Sequence, residues 1–455
     1  MNSVEERIRA ATRAAADTVT PGSVPPLPTH HLVAGRWHGR ARWRARARWL
    51  APAAAAAAVV AVFVGTVAVA GRVSGPGRSR HTTGPAFPGG GQILLPNANA
   101  QDLEWLHADG KTTTIAAGFT GVGLADHGSR LLASRPTQNP RAIPPCSGCI
   151  ADVDYYLMNP DGTGRRLVLR AEPTTRLGNQ VVHLDVQLSP GGSALGYIRQ
   201  ADRANGSALS SELWTLNLAT GARTDLGPVP PGTSFAWTDS SDVVAQSHDL
   251  RSLVSINVVT GARSQLISVS DPRLVRAFER ARPGAGPPTA ISPVAASPAA
   301  GRPVLAVDLT VTAKNKPAVD DAIAILTGQA VRAFAAGGPR AYQSLTWGPH
   351  GYFAILTTTS PSECPPLNGA AYVGNVSTSH LARIPNTGKN LIVGGAPSAA
   401  AFSPSGRYLA VDYLGLLAFA RTPTLASLSA GTRYPAHLIA TIPGVGDTLQ
   451  GWARS

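Results

Sequence analysis

The tetrapeptide Thr220-Gly221-Ala222-Arg223 recurs unchanged as Thr260-Gly261-Ala262-Arg263, and this repeat decides the fold. Each copy separates two short apolar runs. A tight hairpin between two strands needs a residue with positive φ, which glycine adopts without steric cost. Related turns recur along the chain at Ala108-Asp109-Gly110, Pro160-Asp161-Gly162, Ala219-Thr220-Gly221, Val259-Thr260-Gly261, Leu326-Thr327-Gly328, Asn386-Thr387-Gly388 and Ser429-Ala430-Gly431. These turns indicate repeated β-hairpins, the signature of a repeat architecture.

A second motif precedes the hairpins and consists of a strand, a small turn and another strand. Its clearest copies span residues 188–198, 235–245, 347–356 and 402–411. Each repeat therefore supplies four strands, and four-stranded units in series close radially into a propeller. The sequence predicts an all-β chain with a seven-bladed β-propeller. Six or eight blades are alternatives because residues 271–300 are irregular, and a two-sheet sandwich is the other all-β solution.

The two ends of the repeat region complement each other. Leu449-Gln450-Gly451-Trp452 has the pattern of a first strand whose partners are missing, whereas residues 92–117 contain later strands without a first one. We expect the two ends to form one composite blade. The single helix expected in this region runs from Asp271 to Arg282.

The inner turns at residues 188–192, 347–351 and 402–406 share a bulky residue followed by small residues, proline and glycine. This pattern resembles the inner turn of TolB-like and tryptophan-aspartate-repeat propellers of bacterial envelopes, and the resemblance covers residues 92–455. The tryptophan-aspartate dipeptide is absent at the expected strand ends, so the TolB-like form fits better. The resemblance is specific for the fold and implies little about function beyond the binding face, which such propellers build from second-to-third-strand loops and blade-to-blade connections.

The long loops of the chain are predicted to lie on that face, at residues 135–152, 199–211, 312–321 and 361–369 and in the connection 269–290. Long loops in compact domains usually carry function. We therefore expect an envelope protein, a peptide or a glycan to bind there.

Three cysteines, Cys146, Cys149 and Cys364, fall in these loops and are candidates for a disulfide. Either Cys146 pairs with Cys149, or Cys364 pairs with one of them. Zinc is disfavoured because no fourth ligand stands at motif spacing. We expect neither a metal nor a cofactor.

The N-terminal fifth has a different composition. Residues 1–48 contain nine arginines against three acidic residues, and residues 49–70 contain no charged residue, enough to span a bilayer as a helix. The positive-inside rule then predicts a cytoplasmic N-terminus, a single transmembrane helix at 49–70, a Gly/Pro-rich linker at 71–91 and an exported propeller at 92–455. The alternative is a cleaved signal peptide, because Ala68-Val69-Ala70 resembles a cleavage site.

The formal charge of +14 does not indicate nucleic-acid binding, since the excess flanks the hydrophobic segment instead of forming a basic face on the propeller. Within residues 1–48, Val4, Ile8, Ala11 and Ala15 repeat at helical spacing. This short amphipathic helix is either a solvated tail or a docking segment for a cytoplasmic partner. The segment also resembles tails of membrane proteins associated with alternative sigma factors.

The chain lacks the sequence patterns of common catalytic sites, including Gly-x-Ser-x-Gly and His-Glu-x-x-His. Five histidines are scattered singly and are interpreted as polar strand or loop residues: His107, His183, His248, His350 and His380. The sequence thus favours a protein that is not an enzyme. The alternative is a lyase or glycosidase with carboxylates in the central channel, and clustered acids near the axis would favour it.

Overall fold

The computed structural model describes residues 87–453 except for 98–101, 126–128, 138–141, 144–145, 151–152, 173–179, 203–207, 298–303, 312–318, 329, 336–340, 359–368, 385–396, 414–415, 431–437, 444–448 and 450. Residues 1–86 lie outside the described residues. They comprise the predicted tail, the predicted membrane segment and the predicted linker as far as residue 86. Neither helix of the described part has the length and apolar character needed to cross a bilayer.

Thirty strands occur in the described residues, and all but two of them form seven antiparallel sheets of four strands. The strands are β1 (Gln92–Asn97), β2 (Asp102–His107), β3 (Thr112–Ala116), β4 (Thr120–Ala125), β5 (Arg130–Pro136), β6 (Ala142–Ile143), β7 (Cys146–Ile150), β8 (Val153–Met158), β9 (Arg166–Leu169), β10 (Gln180–Leu188), β11 (Ala194–Asp202), β12 (Ala208–Asn217), β13 (Arg223–Pro228), β14 (Phe235–Trp237), β15 (Asp242–Gln246), β16 (Ser252–Asn257), β17 (Arg263–Ser268), β18 (Ala290–Ser297), β19 (Val304–Val311), β20 (Val319–Thr327), β21 (Ala330–Phe334), β22 (Ala341–Trp347), β23 (Tyr352–Thr358), β24 (Gly369–Asn375), β25 (Ala382–Ile384), β26 (Ala399–Phe402), β27 (Tyr408–Asp412), β28 (Leu416–Arg421), β29 (Leu438–Pro443) and β30 (Gly451–Ala453). Two helices, α1 (Pro272–Ala281) and α2 (Leu425–Ser429), lie between them, with a 3-10 turn at Pro349–Gly351.

The seven sheets are the blades of a propeller. Blade 1 consists of β30 and β1–β3, blade 2 of β4, β5, β8 and β9, and blades 3 to 7 each consist of the next four consecutive strands. The first strands of most neighbouring blades contact one another and so surround the central axis. The prediction of an all-β, seven-bladed propeller is confirmed, and the six-bladed, eight-bladed and sandwich alternatives are wrong.

The composite blade is also confirmed, because β30 pairs antiparallel with β1, with Gln92 opposite Ala453 and Leu94 opposite Gly451. This pairing closes the ring by joining both ends of the domain. Phe87 lies within the predicted linker, yet its side chain is 3% exposed and stacks on Phe419, with 5.3 Å between ring centroids. The chain therefore packs against blades 7 and 1, where the ring closes, before β1 begins.

The core is divided among the junctions between blades. In β15, Val243 and Ala245 pack toward blade 3, whereas Val244 between them packs toward blade 5. This alternation follows from the two-residue period of a strand, and it requires apolar residues on both faces. Among the described residues, seven apolar clusters form, one at each junction, which explains the near-continuous apolar runs of the sequence.

The recurring turns have a clear structural basis. In the inner turn of blade 7, the hydroxyl of Ser403 is buried and accepts a hydrogen bond from the Tyr408 N–H at 3.1 Å, and Gly406 adopts a φ of +69°. The hairpin glycines with positive φ are Gly110, Gly162, Gly221, Gly261 and Gly328, and each connects the third and fourth strands of a blade.

Two of the seven predicted turns are not fully covered by the structure, because Asn386-Thr387-Gly388 and Gly431 lie outside the described residues. In blade 6 the third and fourth strands are joined by residues 376–381. In blade 7 the same connection contains α2, whose last residue is Ser429, in place of a tight turn. Thr424 caps this helix by accepting a hydrogen bond from the Ser427 N–H, and a short helix thus replaces the expected glycine turn.

Candidate binding face

The antiparallel strand order fixes two different faces of the propeller. Second-to-third-strand loops and the connections between blades lie on one side, here named the long-loop face. The remaining turns lie on the opposite side, here named the short-turn face. In blade 2, the loop between β5 and β8 contains the additional hairpin β6–β7, in which Ala142 pairs with Ile150. The long-loop face therefore carries an extra element at blade 2.

In blade 3 the predicted loop at residues 199–211 is mostly strand. The strands β11 and β12 remain paired up to Asp202 and Ala208. Gln200 stabilises this end of the hairpin, because its amide nitrogen donates to Asp202 at 2.8 Å and its oxygen accepts from the Ser211 hydroxyl at 3.1 Å. Polar side chains thus extend the hairpin where the sequence alone indicated a loop.

Four polar side chains meet at the long-loop face between blades 2 and 3, and we name them the Glu172 network: Glu172, His183, Arg199 and Glu212. The Arg199 guanidinium binds both carboxylate oxygens of Glu172, with Nε at 3.0 Å from each and Nη2 at 2.8 Å from Oε2. His183 Nε2 lies 3.2 Å from Glu172 Oε1. Glu212 Oε2 lies 3.6 Å from Arg199 Nη1 and accepts a hydrogen bond from the Trp214 indole at 3.1 Å.

Burial sets the protonation states of this network. The His183 side chain is 3% exposed, and burial lowers its pKa despite the hydrogen bond to Glu172. Burial also opposes ionisation of Glu172, but the hydrogen bonds from Arg199 and His183 outweigh it and hold the pKa of that carboxyl below its usual value. At neutral pH the His183 imidazole is therefore neutral and the Glu172 carboxylate is charged.

The network remains accessible from solvent. The side chains of Glu172, Arg199 and Glu212 are 24%, 26% and 32% exposed. Two carboxylates and one guanidinium leave one negative charge in excess. Such a partly desolvated site attracts a cationic group more strongly than a fully hydrated surface does.

The central channel does not contain a carboxylate pair on the described first strands of the blades. They carry one carboxylate, Asp185, in the bulge of β10. Its Oδ2 accepts the Phe235 N–H at 3.0 Å, while the amide of Gln187 donates to Asp185 and to the Phe235 carbonyl. Asp185 therefore links the first strands of blades 3 and 4, and burial raises the pKa of its carboxyl.

The described residues do not test any pairing of the three predicted disulfide residues. Cys146 and Cys149 both belong to β7, whereas Cys364 lies outside the described residues. Their pairing stays a prediction. Across the part of the chain that the structure describes, no three histidine, cysteine or acidic side chains come together as a metal site.

Sequence reasoning interpreted His183 as an isolated polar residue and missed the network around it. Glu172 follows β9 of blade 2, whereas Arg199 and Glu212 belong to β11 and β12 of blade 3. Glu172 therefore reaches the other two only when the two blades pack together. One signal was present in the sequence: polar residues interrupt the apolar pattern at the same end of β10, β11 and β12.

Neither a family model nor a curated protein matches this chain. Many solved structures resemble it, and three examples each share 12% identity with it. They are TolB from Acinetobacter baumannii (78% of this chain and 79% of that chain covered, TM-score 0.38), the WD40 repeats of RRP9 (78% and 87%, 0.44) and hydrazine synthase of Kuenenia stuttgartiensis (72% and 86%, 0.40).

Proposed function

We propose that this propeller is a noncatalytic binding or sensing module that holds an envelope protein, a peptide or a glycan on its long-loop face. The observation that carries the proposal is the Glu172 network, a partly exposed cluster of charges at that face with one negative charge in excess. A polar ligand with a cationic group, such as a peptide with a lysine or arginine, fits this chemistry best. The hairpin β6–β7 in the neighbouring blade supplies additional contact surface.

The enzymatic alternative has less support. Glycoside hydrolysis requires two carboxylates on either side of the scissile bond. On the described first strands, Asp185 stands alone as a carboxylate and is bound to the Phe235 N–H and Gln187.

A photocrosslinking amino acid placed at either end of β12 tests the proposal. Ser210 is exposed at the long-loop face, and Ala219 is exposed in the hairpin at the short-turn face. In intact cells we expect discrete crosslinked products from position 210 and none from position 219. Products from both positions, or from position 219 alone, would contradict binding on the long-loop face.

We further propose that residues 49–70 anchor the chain, with residues 1–48 in the cytoplasm, where they are available to a cytoplasmic partner, and the propeller outside. The uncharged segment and the arginines before it support this topology. A membrane-impermeant thiol reagent on intact cells should label the reduced full-length protein through its cysteines. Labelling that appears only after lysis would place the propeller on the other side of the membrane.

A further inference from the structure

His183 contacts the Glu172 carboxylate from the inner side of the Glu172 network. Its side chain is 3% exposed, and its ring packs edge to face against the buried ring of Tyr197, with 5.1 Å between the centroids. Its Nε2 lies 3.2 Å from Glu172 Oε1. The Glu172 side chain is 24% exposed, so a ligand can reach its carboxylate from solvent while His183 contacts it from within the protein.

The groups around His183 decide when it takes up a proton. Burial is the main cause that lowers its pKa, and the charges of Arg223 and Arg199 lower it further, whereas Glu172 opposes them. The imidazole therefore becomes charged only in acid. The described titratable and charged side chains in its surroundings come from the connection after β9 and from four strands: Glu172, Asp154 and Tyr155 of β8, Tyr197 and Arg199 of β11, Glu212 of β12 and Arg223 of β13.

The Glu172 carboxylate is held in place beside His183. Arg199 binds both of its oxygens, and Asp154 fixes the preceding residue by accepting the Ala171 N–H at 2.8 Å. A proton on His183 therefore adds one positive charge next to Glu172 Oε1, in a partly desolvated site where charges interact more strongly than in water. This added charge opposes the attraction of the network for a cationic group.

We propose that a proton on His183 and the cationic group of the ligand compete for the Glu172 network, so that the propeller holds its ligand at neutral pH and releases it in acid. The proposal rests on the function proposed above, since it concerns the regulation of that same site. The linkage is reciprocal: a protonated His183 weakens ligand binding by the same factor by which the bound ligand weakens proton binding. Ligand binding in mildly acidic solution should therefore release protons.

The test uses the full-length protein in nanodiscs of neutral lipid and the rhodamine-labelled peptide Gly-Arg-Gly-Arg-Gly, whose arginines stay charged throughout. Fluorescence anisotropy at about pH 7.5 should detect binding. The peptide with uncharged citrulline in place of each arginine should bind about tenfold more weakly or worse. Between about pH 7.5 and about pH 5.0, the affinity for the arginine peptide should fall about fivefold or more.

Each variant is compared with itself at the two pH values. His183→Gln keeps a hydrogen-bond donor for Glu172 but cannot take up the proton, so its affinity should change by less than about twofold between them. Any titration of the carboxylates remains in this variant. His248→Gln is the matched control, because His248 is exposed in the second-to-third-strand loop of blade 4, on the same face. It should show the full loss of affinity in acid.

A second measurement needs no variant. Isothermal titration calorimetry of the unmodified protein at about pH 5.5, in two buffers with different enthalpies of ionisation, counts the protons exchanged on binding. Because the cation displaces the proton from His183, binding of the arginine peptide should release a measurable fraction of a proton per chain.

The outcomes separate this inference from the proposed function. Equal affinity of the unmodified protein at both pH values, an equal loss in His183→Gln, or no loss in His248→Gln would overturn the competition alone. Binding without release of protons would do the same. No binding at about 1 mM arginine peptide, or equal binding of the citrulline peptide, would overturn the cation site itself and this inference with it.

Discussion

Two junctions of the propeller differ in what lies beside their apolar packing. One joins blades 2 and 3, and the other joins blades 4 and 5. Both have apolar residues in the middle, such as Leu132 and Leu195 in one and Val244 and Leu305 in the other. At the long-loop face, the first ends in the charged Glu172 network. The second contains helix α1 and a cavity of about 330 Å³, lined by apolar residues together with Asp239, Asp242 and Arg273.

This difference comes from the connections between blades. Between β9 and β10 the chain passes through residues 170–179, which include Glu172, whereas between β17 and β18 it passes through residues 269–289, which include α1. The repeated strands determine the core, and the segments that depart from the repeat determine where charge and cavities occur. Chemistry for binding is therefore expected in those segments.

The largest expected effect concerns the helix-filled junction. Phe278→Ala removes a fully buried ring and should lower the free energy of unfolding by about 3–5 kcal/mol, measured by denaturant titration. Arg276→Ala on the exposed side of the same helix is the control and should change it by less than about 0.5 kcal/mol. A loss below about 1 kcal/mol for Phe278→Ala would mean that α1 does not support this junction.

A smaller effect is expected at the charged junction. Arg199→Ala removes the bidentate partner of Glu172 and should lower the free energy of unfolding by about 1–3 kcal/mol, since a partly buried carboxylate loses its hydrogen bonds. Arg383→Ala, at an exposed position of blade 6, is the matched control. Equal stability of the two variants would show that the network does not stabilise this junction.

The charged junction should also make stability depend on pH. The pKa of His183 is lowered in the folded protein, so the unfolded chain takes up the proton first and stability decreases as the pH falls below about 6.5. The pKa of Glu172 is also lowered, and its contribution disappears as the pH falls below about 4.3.

In His183→Gln, the free energy of unfolding should therefore change less with pH just below about pH 6.5. Its decrease below about pH 4.3, which we assign to Glu172, should be unchanged. Unfolding measured by circular dichroism across this range checks the prediction. An unchanged slope in the variant would show that His183 is not the group that titrates.

The smallest expected effect lies at the junction between blades 3 and 4, whose described residues include neither a helix nor an ion network. Asp185 has a φ of +49°, a conformation that asparagine also tolerates, and asparagine retains an acceptor for the Phe235 N–H. Because the pKa of Asp185 is raised, its ionisation destabilises the folded state as the pH rises above about 3.9.

Asp185→Asn should consequently change the free energy of unfolding by less than about 0.5 kcal/mol at neutral pH. Asp185→Ala loses the acceptor and should cost about 1–3 kcal/mol. Equal losses in the two variants, measured by thermal unfolding, would contradict this role for the carboxylate.

Much of this architecture could be predicted from the sequence because the repeat is encoded locally. Glycine turns, apolar runs and the isolated strand around Trp452 predict seven blades and their closure, and the Asp271 cap and the period of the following residues predict α1. These signals depend on neighbours in the chain. They require no knowledge of how the blades pack.

The features that sequence reasoning missed depend on contacts between distant residues. The paired end of β11 and β12 is stabilised by Gln200 and Ser211 across a hairpin whose composition is typical of a loop. Glu172 meets Arg199 only because blade 2 packs on blade 3. The cavity beside α1 likewise depends on how the helix fits between two blades.

The proposed function requires that a partner occupies the long-loop face in the cell. The most direct test places a single cysteine at Ser210 or at Ala219 in a chain without its three native cysteines, and compares maleimide labelling of intact cells with that of the purified protein. We expect position 219 to react equally in both settings, whereas position 210 should react in the purified protein and be protected in cells by the bound partner. Equal reactivity of position 210 in both settings would contradict it.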